Sequence, residues 1–235
     1  MLSFALYVVA AWVGWFLGRL QRRHPEGRLA RWERRGFTRA ALYAACVAYG
    51  FGIPYAALLR GVASPRLLGL TGWDWVQSLG PGSALAGLAL VILVVGWWGY
   101  RRRVPISASP VSWPLTVLEV AAWQMHWALY RSAAVAWLHD AYVGVWAGLL
   151  LVVLEAALAP FTWQALASPR EAEGILRPAA FAFSSAVLFY FARNLWLCLA
   201  FHAVGELALT RWLPLPDGAL RGEPLVGPVS TDDEG

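Results

Sequence analysis

Charge is scarce in this chain: 14% of its 235 residues are charged against 59% hydrophobic. A soluble domain of this size cannot hide that much apolar surface, which excludes an ordinary water-soluble globule and makes lipid the solvent for most of the chain. Cysteine is nearly absent. Cys46 and Cys198 both fall in apolar segments, which excludes a disulfide framework and any zinc-ribbon spacing. Lysine is missing altogether, so all 19 basic residues are arginine, a bias to which no function attaches. The chain has no Gly-x-Ser-x-Gly elbow, no His-Glu-x-x-His helix and no glycine-rich phosphate loop, so no common nucleophile or nucleotide site is encoded. A basic region ahead of the first apolar run is also lacking, so that run is expected to be retained as a helix.

What is present is a series of seven apolar segments of membrane-crossing length at about 1.5 Å of rise per residue. They cover residues 2–17, 40–59, 83–100, 113–138, 142–160, 178–192 and 194–212. The expected fold is therefore all-α, a polytopic transmembrane bundle of about seven helices over residues 1–213, with a disordered tail at 214–235. The sixth and seventh segments meet at Arg193-Asn194 in a tight hairpin. His139-Asp140 reads as a polar turn between the fourth and fifth.

Arginine tests this map independently. Fifteen arginines fall in the first, third and fifth loops and the tail region, three (Arg60, Arg66 and Arg193) fall on the opposite side, and Arg131 sits inside a segment. By the positive-inside rule the protein lies in the plasma (inner) membrane, N-terminus outside and C-terminus cytoplasmic. The net charge of +5 is thereby a matter of topology, and no nucleic-acid partner is expected. The Arg22–Arg39 loop reads as a basic amphipathic helix on the inner surface. The 60–82 loop, with Trp73 and Trp75, reads as an outer interfacial turn or short helix. The bilayer is the principal partner, with the fifteen tryptophans suited to interfacial belts.

Against this background the ionisable residues inside the apolar segments stand out, because each costs roughly 2.5–3.5 kcal/mol on insertion scales unless it finds a partner or a site. His202 and Glu206 stand at i and i+4, on one helix face. That spacing suits two ligands of one ion, a ligand with its proton partner, or side chains that merely bond neighbouring helices. Glu119 and His126 are two turns apart in the fourth segment. Glu155 has nothing polar within a turn and requires a partner from another helix. Arg131 either takes Glu155 or Glu206 across the bundle as counter-ion or sits near the outer interface and snorkels to it.

The phrase Phe191-Ala-Arg-Asn-Leu-Trp-Leu-Cys-Leu-Ala-Phe-His202-Ala-Val-Gly-Glu206 resembles the last motif of the CPBP intramembrane metalloproteases, the CAAX-protease and bacteriocin-processing family. The resemblance covers residues 113–212. The family's Glu-Glu-x-x-x-Arg motif falls on His126-Trp-Ala-Leu-Tyr-Arg131, which keeps the arginine and lacks both glutamates. Its Phe-x-x-x-His motif falls on Leu151-Val-Val-Leu-Glu155, with glutamate for histidine. Glu206 stands where asparagine or aspartate is usual.

In the family the first-motif glutamate activates water and the histidines hold the metal or the water, and this chain lacks that base. The resemblance implies that His126, Glu155, His202 and Glu206 converge in one cavity, either as ligands of a divalent metal such as zinc or as a locked buried ion-pair network, with Arg131 close to a carboxylate. Three functions follow. The first is a non-proteolytic accessory, assembly or scaffold subunit with membrane-protein partners. The second is an intramembrane metallo-endopeptidase with a rearranged site, in which Glu155 or Glu206 is the base and Arg131 assists. The third is a small transporter or lipid-binding protein.

Overall fold

The computed structural model describes residues 2–23, 37–104 and 113–212, and every regular element among them is helical. In chain order these are α1 (Leu2–Arg23), α2 (Phe37–Leu59), α3 (Pro65–Leu68) and α4 (Trp75–Gln77), which passes through a π-turn at Ser78–Gly82 into α5 (Ser83–Arg103). Then follow α6 (Trp113–Leu138), α7 (Ala141–Leu158), α8 (Pro160–Leu166), α9 (Pro169–Ala192) and α10 (Leu195–Leu207), with a closing π-turn at Ala208–Trp212. The seven apolar segments fall largely in helices, although the fifth is broken at Ala159 and the seventh starts from the Asn194 cap. Among the described residues, three continuous stretches are long and apolar enough to cross a membrane: Trp75–Arg103, Ala141–Leu158 and Pro169–Ala192. The tail from 214, and most of the expected amphipathic helix at Arg22–Arg39, lie outside the described residues.

Helix α6 is the hub: α7, α2, α10 and the short α3 all pack against it. Its closest partner is α7, and the sequence provides for this approach with Gly144 and Gly148, one turn apart on a single face. A Cβ at Gly148 would stand 2.7 Å from the Arg131 Cα and 2.8 Å from its backbone nitrogen, and one at Gly144 would stand 2.7 Å from the Val135 Cα. Only glycine lets the two backbones come this near, the small-residue packing typical of helices in lipid. At the turn, His139 takes a left-handed conformation (φ 55°) and the Asp140 carboxylate accepts from the backbone N–H of Tyr142 (2.7 Å) and Val143 (2.9 Å), capping α7.

The second hairpin repeats the device. Arg193 ends α9 in the left-handed region (φ 49°), and the Asn194 side chain caps α10 by accepting from Trp196 N (2.9 Å) and Leu197 N (3.2 Å). The Asn194 amide also donates to Ser78 Oγ at 3.1 Å, and Leu195 N donates to Gly69 O at 2.9 Å. The 60–82 loop, built as two short helices, is thereby held against the start of α10, with Leu68 fully buried.

Helix α9 begins nine residues before the sixth apolar segment and runs through Pro178. Arg170 and Arg177, expected in a loop, are therefore helical, as is Arg101 at the end of α5. Beside its apolar core the chain presents large apolar residues outward and buries several charged ones. Leu88, Val91, Ile92 and Val95 of α5 and Leu150, Val153 and Leu154 of α7 face outward, while two glutamates of α9 and α10, two histidines and two arginines are buried. Broad outward apolar faces of this kind suit lipid or protein contact, not water.

Candidate functional site

Two buried polar groups flank α6. Residues two apart on a helix point about 200° apart at 3.6 residues per turn. His126 and Gln124 therefore serve opposite sides.

On the His126 side, the Nε2 lies 3.0 Å from both carboxylate oxygens of Glu155 in α7, so the ring donates to a carboxylate that shares one proton donor between its two atoms. Both residues are buried. Rings surround the imidazole: Tyr130 at 4.5 Å, Tyr49 at 5.7 Å, Tyr7 at 6.1 Å and Trp123 at 6.5 Å between centroids. Beyond them the Tyr49 hydroxyl donates to the Ser3 carbonyl at 2.6 Å and meets Ser3 Oγ at 2.9 Å, tying α1 to α2. This is the partner from another helix that Glu155 requires.

On the Gln124 side a longer network joins four helices. Glu173 Oε1 accepts from Trp97 Nε1 and from Arg101 Nη2, both at 3.0 Å, and lies 3.7 Å from Arg177 Nη1. Arg101 Nη1 also donates to the Leu209 carbonyl at 2.6 Å. Arg177 Nε then pairs with Glu206 Oε1 at 3.2 Å, which stands 3.8 Å from His202 Nε2. His202 Nδ1 meets Gln124 Nε2 at 3.1 Å, and the same amide donates to Ser185 Oγ at 2.8 Å. Two guanidinium groups face two carboxylates, so the network is balanced with a neutral His202. That ring is held flat between Trp127 (5.3 Å, 4°) and Phe181 (4.4 Å, 25°).

The expected convergence of His126, Glu155, His202 and Glu206 is thus replaced by two pairs, His126 with Glu155 and His202 with Glu206. Among the described residues no three His, Cys, Asp or Glu side chains come together in an arrangement able to hold a metal ion. Zinc sites draw three or four protein ligands to one point, and two-residue pairs on opposite sides of α6 do not fit that requirement. The reason is angular: the α6 residue that reaches His202 is Gln124, while His126 is turned toward α7. Glu119 is exposed and joins neither group.

Arg131 departs from expectation as well. It is 3% exposed, but no ion pair among the described residues includes it, and its guanidinium lies over the Phe189 ring at 4.2 Å. Neither Glu155 nor Glu206 is its counter-ion.

Gln124, Trp97, Arg101, Glu173, Arg177 and Ser185 are the polar residues that sequence reasoning left out. A signal existed for two of them: Glu173 and Arg177 stand at i and i+4, the spacing of a helical ion pair, just after Ser168-Pro169, a helix-start signature. No protein-family model matches the chain, and neither a curated protein nor a solved structure is significantly similar to it.

Proposed function

We propose that the chain is an integral membrane protein whose seven apolar helices cross the plasma (inner) membrane, N-terminus outside and C-terminus cytoplasmic, and that it serves as a non-proteolytic accessory, assembly or scaffold subunit of a membrane complex. The observation that carries this reading is the state of His202. Aromatic rings cover both faces, Gln124 takes one nitrogen and Glu206 stands opposite the other, so the residue most like a protease ligand is fully engaged within its own chain. The second pair is engaged likewise, with the Glu155 carboxylate turned onto His126. Side-chain pairs of this kind position helices, and the outward apolar faces of α5 and α7 offer surface for neighbouring membrane proteins as well as for lipid.

The test is purification from native membranes in mild detergent, followed by mass measurement of the intact particle. A stoichiometric membrane-protein partner is the expected outcome. Recovery as a lone chain that cleaves a membrane-spanning peptide in a zinc-dependent manner would overturn the proposal in favour of a rearranged intramembrane protease.

A further inference from the structure

Near its end, helix α5 carries two consecutive tryptophans and, one turn later, two consecutive arginines: Trp97-Trp98 and Arg101-Arg102. The first of each pair turns inward, where Trp97 Nε1 and Arg101 Nη2 both donate to Glu173 Oε1 at 3.0 Å. The second of each pair, about 100° further round the helix, faces outward. Trp98 is 45% exposed, and the exposed Arg102 lies over its ring with Cζ 3.6 Å from the centroid. No ion pair among the described residues includes Arg102. The outer pair repeats the spacing of the inner one and lacks the oxyanion that the inner one holds.

The rest of that face matches one source of such an anion. Leu88, Val91, Val95, Trp98 and Arg102 recur at intervals of three and four, which sets them in one stripe, and all five are exposed. Toward the end of the helix the stripe runs aliphatic, then indole, then guanidinium, the order of acyl chain, interface and phosphate in a phospholipid. With its face stacked on Trp98, Arg102 keeps its N–H edge, a fork that fits two phosphate oxygens. Arg103, also exposed, adds positive charge at this level. Helix α1 ends in the same way: Val8, Trp12, Trp15 and Arg19 have the spacing of Val91, Val95, Trp98 and Arg102, and the Arg19 Cζ lies 4.3 Å from the Trp15 centroid.

We propose that Trp98 and Arg102 seat the headgroup of one anionic phospholipid, with its acyl chain along Leu88, Val91 and Val95. A free phosphate would use the guanidinium edge and leave the aliphatic stripe uncovered. A zwitterionic headgroup would leave the positive charge of Arg102 and Arg103 uncompensated, so the lipid favoured is one of net negative charge. The site rests on α5 crossing the membrane, as proposed above, and holds whether the chain is a subunit or a protease.

The experiment places the full-length protein in phosphatidylcholine nanodiscs that carry a trace of either phosphatidylglycerol or phosphatidylcholine with a photoactivatable acyl chain, and maps the labelled residues by mass spectrometry. Label at Leu88, Val91 and Val95 should come preferentially from phosphatidylglycerol. Arg102→Gln should lower that preference about fivefold, the factor for one arginine at an anionic headgroup. Arg102→Lys, which keeps the charge and loses the fork, should retain part of it. Label on the outward α7 residues Leu150, Val153 and Leu154 should be equal in all three proteins, which verifies that the variants fold and insert. Equal labelling of the α5 stripe by the two lipids would overturn the proposal, as would a preference that Arg102→Gln leaves unchanged. A preference removed by inorganic phosphate, but not by sodium chloride of equal ionic strength, would assign the pair to the free anion and overturn the lipid. Absence of lipid label from both α5 and α7 would overturn the membrane reading itself, and the lipid site with it.

Discussion

The two sides of α6 accommodate buried charge by different means. On one side His126 of α6 and Glu155 of α7 form a pair within a shell of tyrosines to which α1 and α2 also contribute. On the other, Arg101, Glu173, Arg177 and Glu206 make an alternating row of opposite charges that extends through His202 and Gln124 to Ser185 and joins α5, α9, α10 and α6. A pair fixes the register of two helices that glycine already brings close. A row fixes helices that are far apart in sequence and have few other reasons to be neighbours. The difference assigns the pair a local role and the row a global one, and it can be broken experimentally.

The largest effect is expected at the middle of the row. Glu173→Ala leaves Arg101 buried without its carboxylate and removes the acceptor of Trp97, so a loss of about 3–5 kcal/mol is expected, the range for breaking a buried ion pair. Reversible unfolding in mixed micelles measures it. The double variant Arg101→Met with Glu173→Met should recover most of the loss, because two apolar side chains replace the pair without an orphaned charge. No recovery would mean that the row is held by geometry rather than charge balance.

The hairpin comes next. Gly148→Ala places a methyl group against the Arg131 backbone and should force α7 away from α6 at about 1–3 kcal/mol, the usual penalty of overpacking. The same assay detects it, and an unchanged midpoint would show that the helices are free to separate.

Glu155→Gln keeps the shape of the pair and weakens a charge-assisted bond, with an expected loss of about 1–3 kcal/mol. Combined with Glu206→Gln it sharpens the comparison directly. Independent sides predict additivity within about 0.5 kcal/mol, whereas one shared site predicts a coupling of up to about 3 kcal/mol. The smallest effect should be Asn194→Ala, about 1 kcal/mol for the lost helix cap, visible also as faster amide exchange at Trp196 and Leu197.

Much of the helical layout was legible in the sequence, while the partnering of its polar residues was not. Apolar length marked all seven segments, and the bounds Trp113–Leu138 coincide with those of α6, because a run of apolar residues in lipid is helical whatever packs against it. The same fact hides the inward face. When both the core-facing and the lipid-facing sides are apolar, no amphipathic period says which way a helix is turned. The family resemblance places His126 with His202, whereas the turn of α6 sends Gln124 there instead. Hydropathy also closed the sixth segment at Pro178, since the Glu173 and Arg177 charges look like loop until their partners on α5 and α10 are known. The glycine pair Gly144 and Gly148 is a small-xxx-small motif that hydropathy passes over, because its signal lies in the rule of close helix approach.

The row of charges has a consequence for biosynthesis. Its first member, Arg101, leaves the ribosome well before its last, Glu206, an interval of roughly 5–20 s at about 5–20 residues per second. During that interval Arg101 and Trp97 have no carboxylate until Glu173 emerges, and Arg177 waits for Glu206. The α6–α7 hairpin, by contrast, is complete within itself once Glu155 has been made. Assembly during synthesis therefore proceeds with a self-sufficient centre and unfinished flanks until α10 joins it.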